Sequence, residues 1–291
     1  MHRRDLAAYG TLAIVWGLSF IVVLKASRAF GWAGSASFRA LVAGSAMLVV
    51  AGVTRRRLDF SGGWRPFAVV GATTVAGQQI GLSFAAPRIG TAMVAIFVST
   101  IPLFSMVIAQ LWGLERMTPR GRVGLFLGVC GTALLVGFPS VPVTGAFLLG
   151  CCCSLGGSLA AAFGSNYAVR HLSGVGAWEL TAGSFLFGGV LILPVLLFVP
   201  VPTSPRPVDY LYVVLLGVVM SAMAYVLYFQ LVGSIGATKA ISVEFAVTAI
   251  AVLAGPVLLH EHLTIVQLVG GAVIVGGCSL VLGFGAARTN S

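Results

Sequence analysis

Apolar runs of about 20 residues recur along the whole chain, with short polar breaks between them. A helix of this length crosses roughly 30 Å of hydrocarbon. The runs do not alternate apolar and polar positions, as the strands of a membrane barrel would. The pattern therefore predicts an all-α integral membrane protein. The ten predicted transmembrane helices cover residues 6–26, 34–53, 65–84, 89–113, 119–138, 144–169, 175–199, 208–231, 237–259 and 265–285.

The composition agrees with this pattern and excludes a soluble globular domain. Hydrophobic residues make up 58% of the chain and charged residues only 8%, with a mean hydropathy of +1.05, whereas soluble domains carry about 25% charged residues. The net charge of +10 comes from basic residues scattered between apolar runs, so it does not indicate nucleic-acid binding. The expected partners are the lipid bilayer and a small-molecule substrate.

The distribution of basic residues predicts the orientation of the chain in a plasma or inner membrane. Cytoplasmic loops are enriched in Lys and Arg. With a cytoplasmic N-terminus, the inside set is Arg3, Arg4, Arg55, Arg56, Arg57, Arg65, Arg116, Arg120, Arg122, Arg170, Lys239 and Arg288. The outside set is Lys25, Arg28, Arg39, Arg88 and Arg206. This bias predicts that both termini are cytoplasmic.

The chain contains an internal repeat. Residues Ile89–Phe138 align without a gap with Ile235–Phe284, and Trp16-Gly17 aligns more weakly with Phe163-Gly164. Residues identical in the two longer segments include Glu115, Thr118, Gly124 and Gly131, which meet Glu261, Thr264, Gly270 and Gly277. We predict two five-helix repeats, residues 1–142 and 143–291. Because five is odd, the second repeat enters from the opposite side and is inverted, with a central cavity near the midplane.

The repeated motif has a structural interpretation. In each half a Glu ends one helix, and a Thr three residues later begins the next, where it can cap the helix N-terminus. The glycines that follow would let helix backbones approach closely. Since both halves keep the pattern, we interpret it as architectural.

Ten helices, a five-plus-five repeat and a Glu-x-x-Thr turn before a glycine-rich last helix resemble the EamA-type drug/metabolite transporter superfamily. Trp16-Gly17 and Arg39 also resemble its usual pattern. The chain is similar in general appearance to YddG-type amino-acid exporters, which include exporters of aromatic amino acids. The resemblance implies a helical bundle around a central cavity and the export of small metabolites.

Glu244 is the most informative polar residue of the membrane region. It lies in the ninth predicted helix, close to mid-membrane, and it aligns with Val98 in the first half. An intramembrane carboxylate costs about 2.5–3.5 kcal/mol and usually faces a cavity or a partner. We predict that Glu244 faces the cavity, where it would bind a substrate ammonium or a coupling proton. The alternative is a buried contact with Arg39 or Gln78.

Other polar and aromatic residues at similar depth complete the predicted substrate-binding site. Amides between membrane helices also serve as simple contacts, and aromatic rings also face lipid. Each residue could therefore have a purely structural role instead. A cavity with these side chains would suit an amphipathic solute. Besides Glu244, the predicted substrate-binding residues are Trp16, Gln78, Gln79, Phe97, Phe163, Asn166, Tyr225 and Tyr228.

These observations predict a secondary transporter that exports small amphipathic metabolites, amino acids including aromatic ones, by alternating access. No P-loop is present in the sequence. No catalytic residue and no cofactor is predicted. No metal site is predicted either, because His260 and His262 stand at i and i+2 and do not share a helix face. The alternatives are an exporter of other drugs or metabolites, a channel, or a membrane-embedded enzyme. We expect a monomer.

Overall fold

The computed structural model describes residues 3–60, 63–114, 118–137, 142–172, 174–202, 204–235, 240 and 243–281. Within these ranges every regular element is a helix and none is a strand, so the all-α prediction is confirmed. Many large apolar side chains lie on the outside of the molecule. Leu197, Phe198 and Ile265 are 80–85% exposed. A surface of this kind suits lipid better than water.

The first helix, α1 (Arg3–Val53), contains the first two predicted spans in one element. It is broken at Gly31, whose φ of 71° and ψ of 169° are not helical. Glycine has no Cβ and therefore reaches a positive φ without steric cost. The break lies between the predicted ranges 6–26 and 34–53, so the chain turns where the hydropathy pattern predicts it.

The other helices follow in two sets. The first half continues with α2 (Trp64–Val70), a π-helical segment (Gly71–Gly77), α3 (Gln78–Ile89), α4 (Thr91–Val98), α5 (Ile101–Leu111) and α6 (Pro119–Gly137). The second half comprises α7 (Gly145–His171), α8 (Ala177–Ile192), a 3₁₀ segment (Leu193–Leu197), α9 (Pro207–Val214), a second π-helical segment (Leu215–Met223), α10 (Ala224–Ile235), α11 (Val243–Leu259) and α12 (Ile265–Val281).

Five helical stretches in the described residues are long and apolar enough to cross a membrane. They are Arg4–Val53, Thr91–Leu111, Gly145–His171, Ala177–Leu197 and Pro207–Tyr228. Two shorter apolar helices, Val243–Leu259 and Ile265–Leu280, accompany them. Helical residues occupy each of the ten predicted ranges within the described part of the chain. The ten-span inverted arrangement stays a prediction.

Helices α6 and α12, the last helix of each half, pack against each other through glycines. A methyl group at Gly131 would lie 2.7 Å from the carbonyl oxygen of Gly270. One at Gly277 would lie 2.5 Å from the carbonyl oxygen of Gly124. The close approach predicted from these glycines is therefore confirmed.

The two glycine contacts are related by the sequence repeat. Gly124 aligns with Gly270, and Gly131 aligns with Gly277. Exchanging the halves therefore turns the Gly131–Gly270 contact into the Gly277–Gly124 contact. Such reciprocity is a property of contacts across a two-fold axis. Other helices also pack across the two halves: α1 packs against α8 and α11, and α7 packs against α3 and α5.

Both repeat threonines cap a helix, as predicted. Thr118 Oγ1 accepts a hydrogen bond of 3.1 Å from the backbone N–H of Gly121. Thr264 Oγ1 accepts one of 3.2 Å from the N–H of Gln267, and Gln267 Oε1 accepts one of 2.9 Å from the N–H of Thr264. The second pair is a reciprocal capping box.

Glu261 caps a helix of the other half. Its Oε1 accepts hydrogen bonds from the backbone N–H of Thr91, at 2.7 Å, and from the Thr91 hydroxyl, at 2.9 Å. Its Oε2 accepts a third bond, of 3.0 Å, from the N–H of Ala92. These donors are the unpaired amides of the first turn of α4, where a negative charge is favourable. Glu115, the repeat counterpart, lies outside the described residues.

We expect Glu261→Gln to lower the thermal unfolding midpoint of the purified protein. The change removes the negative charge, and the amide NH₂ would face N–H groups that need an acceptor. A lost N-terminal cap costs about 1–2 kcal/mol. The neighbouring, exposed His262 supplies a matched control, His262→Gln, which should leave the midpoint unchanged. Equal midpoints for the two variants would contradict the capping role of Glu261.

Candidate functional site

A cavity between the helices is lined by residues from both halves. Its volume is about 40 Å³. Its walls come mainly from α1, α3, α10 and α11. The lining residues are Trp16, Ser19, Phe20, Arg39, Gln78, Gln79, Leu82, Val98, Tyr225, Glu244 and Val247.

Arg39 supplies the positive charge of the cavity. Its Nε donates a hydrogen bond of 2.7 Å to Ser221 Oγ, and its Nη1 donates one of 2.6 Å to Gln79 Oε1. The residue is only 4% exposed. Both partners are neutral, so they fix the position of the guanidinium without neutralising its charge.

Glu244 supplies the negative charge. The residue is half-buried on α11 and lines the same cavity as Arg39. Among the described residues it makes no hydrogen bond and no ion pair. Its carboxylate therefore does not hold helices together through Arg39 or Gln78, which was the alternative considered above. No described residue pairs with this charge, so at this depth it is available to a ligand.

One wall of the cavity is aromatic. The ring of Trp16 lies 5.4 Å, centroid to centroid, from those of both Tyr225 and Tyr228. Phe185 meets Tyr225 edge to face at 5.1 Å. Trp16 Nε1 donates a hydrogen bond of 3.2 Å to the carbonyl oxygen of Met220. These contacts fix the indole, so its face is a preformed apolar surface beside the two charges.

The two π-helical segments position the amides and a tyrosine. Each lies in the middle of the third span of its half, Gly71–Gly77 and Leu215–Met223. Gln78 follows the first segment directly, and Tyr225 comes two residues after the second. Tyr225 Oη donates a hydrogen bond of 3.4 Å to Gln78 Oε1 across the bundle. Distortions of this kind are frequent at functional sites because they redirect side chains.

The structure brings together five of the nine predicted substrate-binding residues and separates the rest from the cavity lining. The five that line the cavity are Trp16, Gln78, Gln79, Tyr225 and Glu244. Tyr228 packs against Trp16, behind the lining.

The other three residues belong to packing contacts between helices. Phe97 is fully buried, and its carbonyl oxygen accepts a hydrogen bond of 3.1 Å from Ser158 Oγ. Phe163 packs on Trp112 at 5.3 Å. Asn166 Nδ2 donates a hydrogen bond of 2.8 Å to Ser105 Oγ and so joins α7 to α5. Their placement favours a structural role.

Arg39 was counted in the outside set of basic residues, and it was also considered as a buried partner of Glu244. The structure buries it in the bundle, at the cavity. Its place in the second predicted span, 34–53, agrees with this burial, because no charged residue follows it as far as Val53. Ser221 and the apolar lining residues had no distinguishing signal.

No metal site is formed by the part of the chain that the structure describes. Groups of three or more His, Cys, Asp or Glu side chains that could hold a metal ion are absent there. All five cysteines are free thiols.

The comparisons with known proteins give the class of the molecule. The chain belongs to the EamA-like transporter family, which matches residues 7–137 and again residues 148–283. The resemblance to this superfamily is thus confirmed. The protein is a multi-pass membrane transporter and not an enzyme.

Named relatives cover nearly the whole chain. YvbV of Bacillus subtilis, an uncharacterized transporter, is 28% identical over 286 residues, covering 93% of this chain and 88% of the relative. PecM of Dickeya dadantii is 27% identical, covering 97% and 92% of the two chains. A probable terminal-alkyne amino-acid exporter of Streptantibioticus cattleyicolor is 23% identical, covering 92% and 90%.

A solved crystal structure shares the fold. It superposes with a TM-score of 0.67 at 18% identity, over 95% of both chains.

Proposed function

We propose that this protein is a secondary transporter that exports small amphipathic metabolites, in particular amino acids, including aromatic ones. The cavity is the substrate site, and the two halves alternate in opening it to either side of the membrane. The observation that carries the proposal is the lining of one cavity by Arg39, Glu244 and the aromatic ring of Trp16. A solute with both charges and an apolar body matches such a lining.

The origin of the cavity walls bears on the mechanism. Because the walls come from both halves, the halves must part for a solute to enter. Inverted-repeat transporters move in this way around a midplane site. The proposed boundary between the halves is residue 142/143.

The proposed orientation places both termini in the cytoplasm. Removing the buried Arg39 from the count leaves Lys25, Arg28, Arg88 and Arg206 as the basic residues on the outside. The bias toward the inside therefore becomes stronger. With this orientation, export carries the solute from the side of the N-terminus. One relative is named a probable amino-acid exporter, which supports the same substrate class.

Counterflow in proteoliposomes tests the proposal. Vesicles that contain the purified chain and an excess of one unlabelled amino acid should transiently accumulate the labelled form, at least about 10-fold above protein-free vesicles. Labelled hexoses and nucleosides, each with its own unlabelled form inside, serve as controls and should not accumulate. Accumulation of these solutes without any amino acid would contradict the proposed substrate class. Unitary current steps in a planar bilayer would instead indicate a channel.

A further inference from the structure

The cavity holds its two opposite charges on different halves of the molecule. Arg39 lies on α1, in the first half, and Glu244 lies on α11, in the second. No ion pair within 4 Å joins them in the described structure. Each charge lines the shared cavity, and no charged side chain among the described residues pairs with it. A ligand could therefore supply a negative charge to Arg39 and a positive charge to Glu244.

The geometry at Arg39 suits a carboxylate. A guanidinium has five N–H donors in a planar fork, and the bonds to Ser221 and Gln79 use two of them. No described residue accepts a hydrogen bond from the other three, which can serve a ligand. Because Ser221 and Gln79 fix the Nε and Nη1 edges, the fork is oriented before a ligand arrives. Carboxylates bind such forks through two parallel hydrogen bonds.

The geometry at Glu244 suits an ammonium group. An ionised carboxylate accepts hydrogen bonds only, and Glu244 receives none from the described residues. Tyr225 lies beside it on the cavity wall, together with Trp16. Aromatic faces also attract a cation. An ammonium group at this end would thus meet a negative charge and two electron-rich rings.

We propose that the cavity recognises the zwitterionic end of an α-amino acid, with its carboxylate on Arg39 and its ammonium group on Glu244. This assignment rests on the proposed function and defines its substrate class. A solute with only one charge leaves the opposite protein charge desolvated and unpaired, which is strongly unfavourable. A zwitterion neutralises both charges.

The placement of the charges on separate halves also ties recognition to movement. A zwitterion bound between Arg39 and Glu244 connects the halves and stabilises a conformation in which both charges contact the solute. A ligand that contacts one charge has no such effect. A ligand shifts a conformational equilibrium only if it binds one conformation more tightly than the other. A solute that contacts both charges can therefore drive the movement of the halves, whereas a solute that contacts one charge cannot.

The test compares L-phenylalanine with two analogues that each lack one charge. These are phenethylamine, without the carboxylate, and 3-phenylpropionate, without the amine. Each competes against counterflow of labelled L-phenylalanine in proteoliposomes that contain the full chain. Unlabelled L-phenylalanine should inhibit at least about 10-fold better than either analogue, the effect of a lost hydrogen bond to a charged group.

Two variants assign the charges. Glu244→Gln should raise the KM for L-phenylalanine at least about 10-fold and abolish its advantage over 3-phenylpropionate. Arg39→Gln should abolish its advantage over phenethylamine instead. Glu179→Gln and Arg88→Gln remove one charge each from outside the cavity, so both should keep the wild-type selectivity. If Arg39→Gln does not fold, the wild-type competition series and Glu244→Gln still decide the assignment.

The outcomes separate this inference from the proposed function. Transport of amino acids with unchanged selectivity in Glu244→Gln overturns the charge assignment while export stands. The same holds if Glu244→Gln loses only the pH dependence of transport, because Glu244 would then carry a proton. If no amino acid is transported, thermal stabilisation of the purified chain by L-phenylalanine, but by neither analogue, supports the site without the function. Equal stabilisation by all three overturns it.

Discussion

Gly277→Ala is expected to lower the thermal unfolding midpoint of the purified transporter, whereas Gly276→Ala should leave it unchanged or raise it. The Cβ of an alanine at residue 277 would lie 2.5 Å from the carbonyl oxygen of Gly124 and 3.0 Å from the backbone nitrogen of Gly128. Neither atom belongs to a flexible side chain, so α6 and α12 would have to move apart. Overpacking of this kind costs about 1–3 kcal/mol.

Gly276 supplies a control from the next position on the same helix. No heavy atom lies within 4 Å of the Cβ that an alanine would add there. Alanine has a higher helix propensity than glycine, so the two substitutions should have effects of opposite sign. The measurement is the fraction of monodisperse protein after heating in detergent, followed by size-exclusion chromatography. Equal midpoints would mean that the packing of α6 on α12 contributes nothing to stability.

Trp16→Ala is expected to reduce transport at least about 10-fold while the protein still folds. The substitution removes a cavity wall, the ring contacts with Tyr225 and Tyr228, and the hydrogen bond to the carbonyl oxygen of Met220. A 10-fold loss corresponds to about 1.4 kcal/mol, within the range of one lost aromatic contact. Trp16→Phe keeps a ring but loses the hydrogen bond, so its transport should be intermediate.

Trp64 provides the matched control. It is 62% exposed and stacks on Phe187 at 6.2 Å on the outer surface. Trp64→Ala should therefore retain transport. Initial rates of counterflow, normalised to the folded protein in the vesicles, compare the variants. Wild-type rates in Trp16→Leu would show that an aromatic wall is unnecessary and that Trp16 does not line the substrate site.

The sequence predicted the features that depend on pattern and repetition. The helices and the break between residues 26 and 34 follow from hydropathy. The packing glycines follow from comparison of the two halves. Glu244 emerged because the first half has Val98 at the aligned position. A residue that only one half carries is not required by an architecture that both halves share.

The rotation of each helix about its own axis, which decides the side that faces the cavity, could not be predicted. In a membrane helix the lipid-facing and the protein-facing sides are both apolar, so periodicity does not identify the inner face. Three predicted residues were therefore chosen by depth alone, and in this structure they contact neighbouring helices. They are Phe97, Phe163 and Asn166. Arg39 was considered only as a partner of Glu244, because its actual partners, Gln79 and Ser221, are 40 and 182 positions away in the chain.

The cap on α4 has a consequence for the biogenesis of the protein. Glu261 is synthesised 170 residues after Thr91, whose backbone amide it binds. At roughly 5–20 residues per second, about 10–30 s of translation separate the two residues. During that interval the first turn of α4 has to satisfy its amides without this carboxylate. The N-terminal cap of α4 therefore forms only after Glu261 has left the ribosome, and a nascent chain that stops before Glu261 lacks this cap.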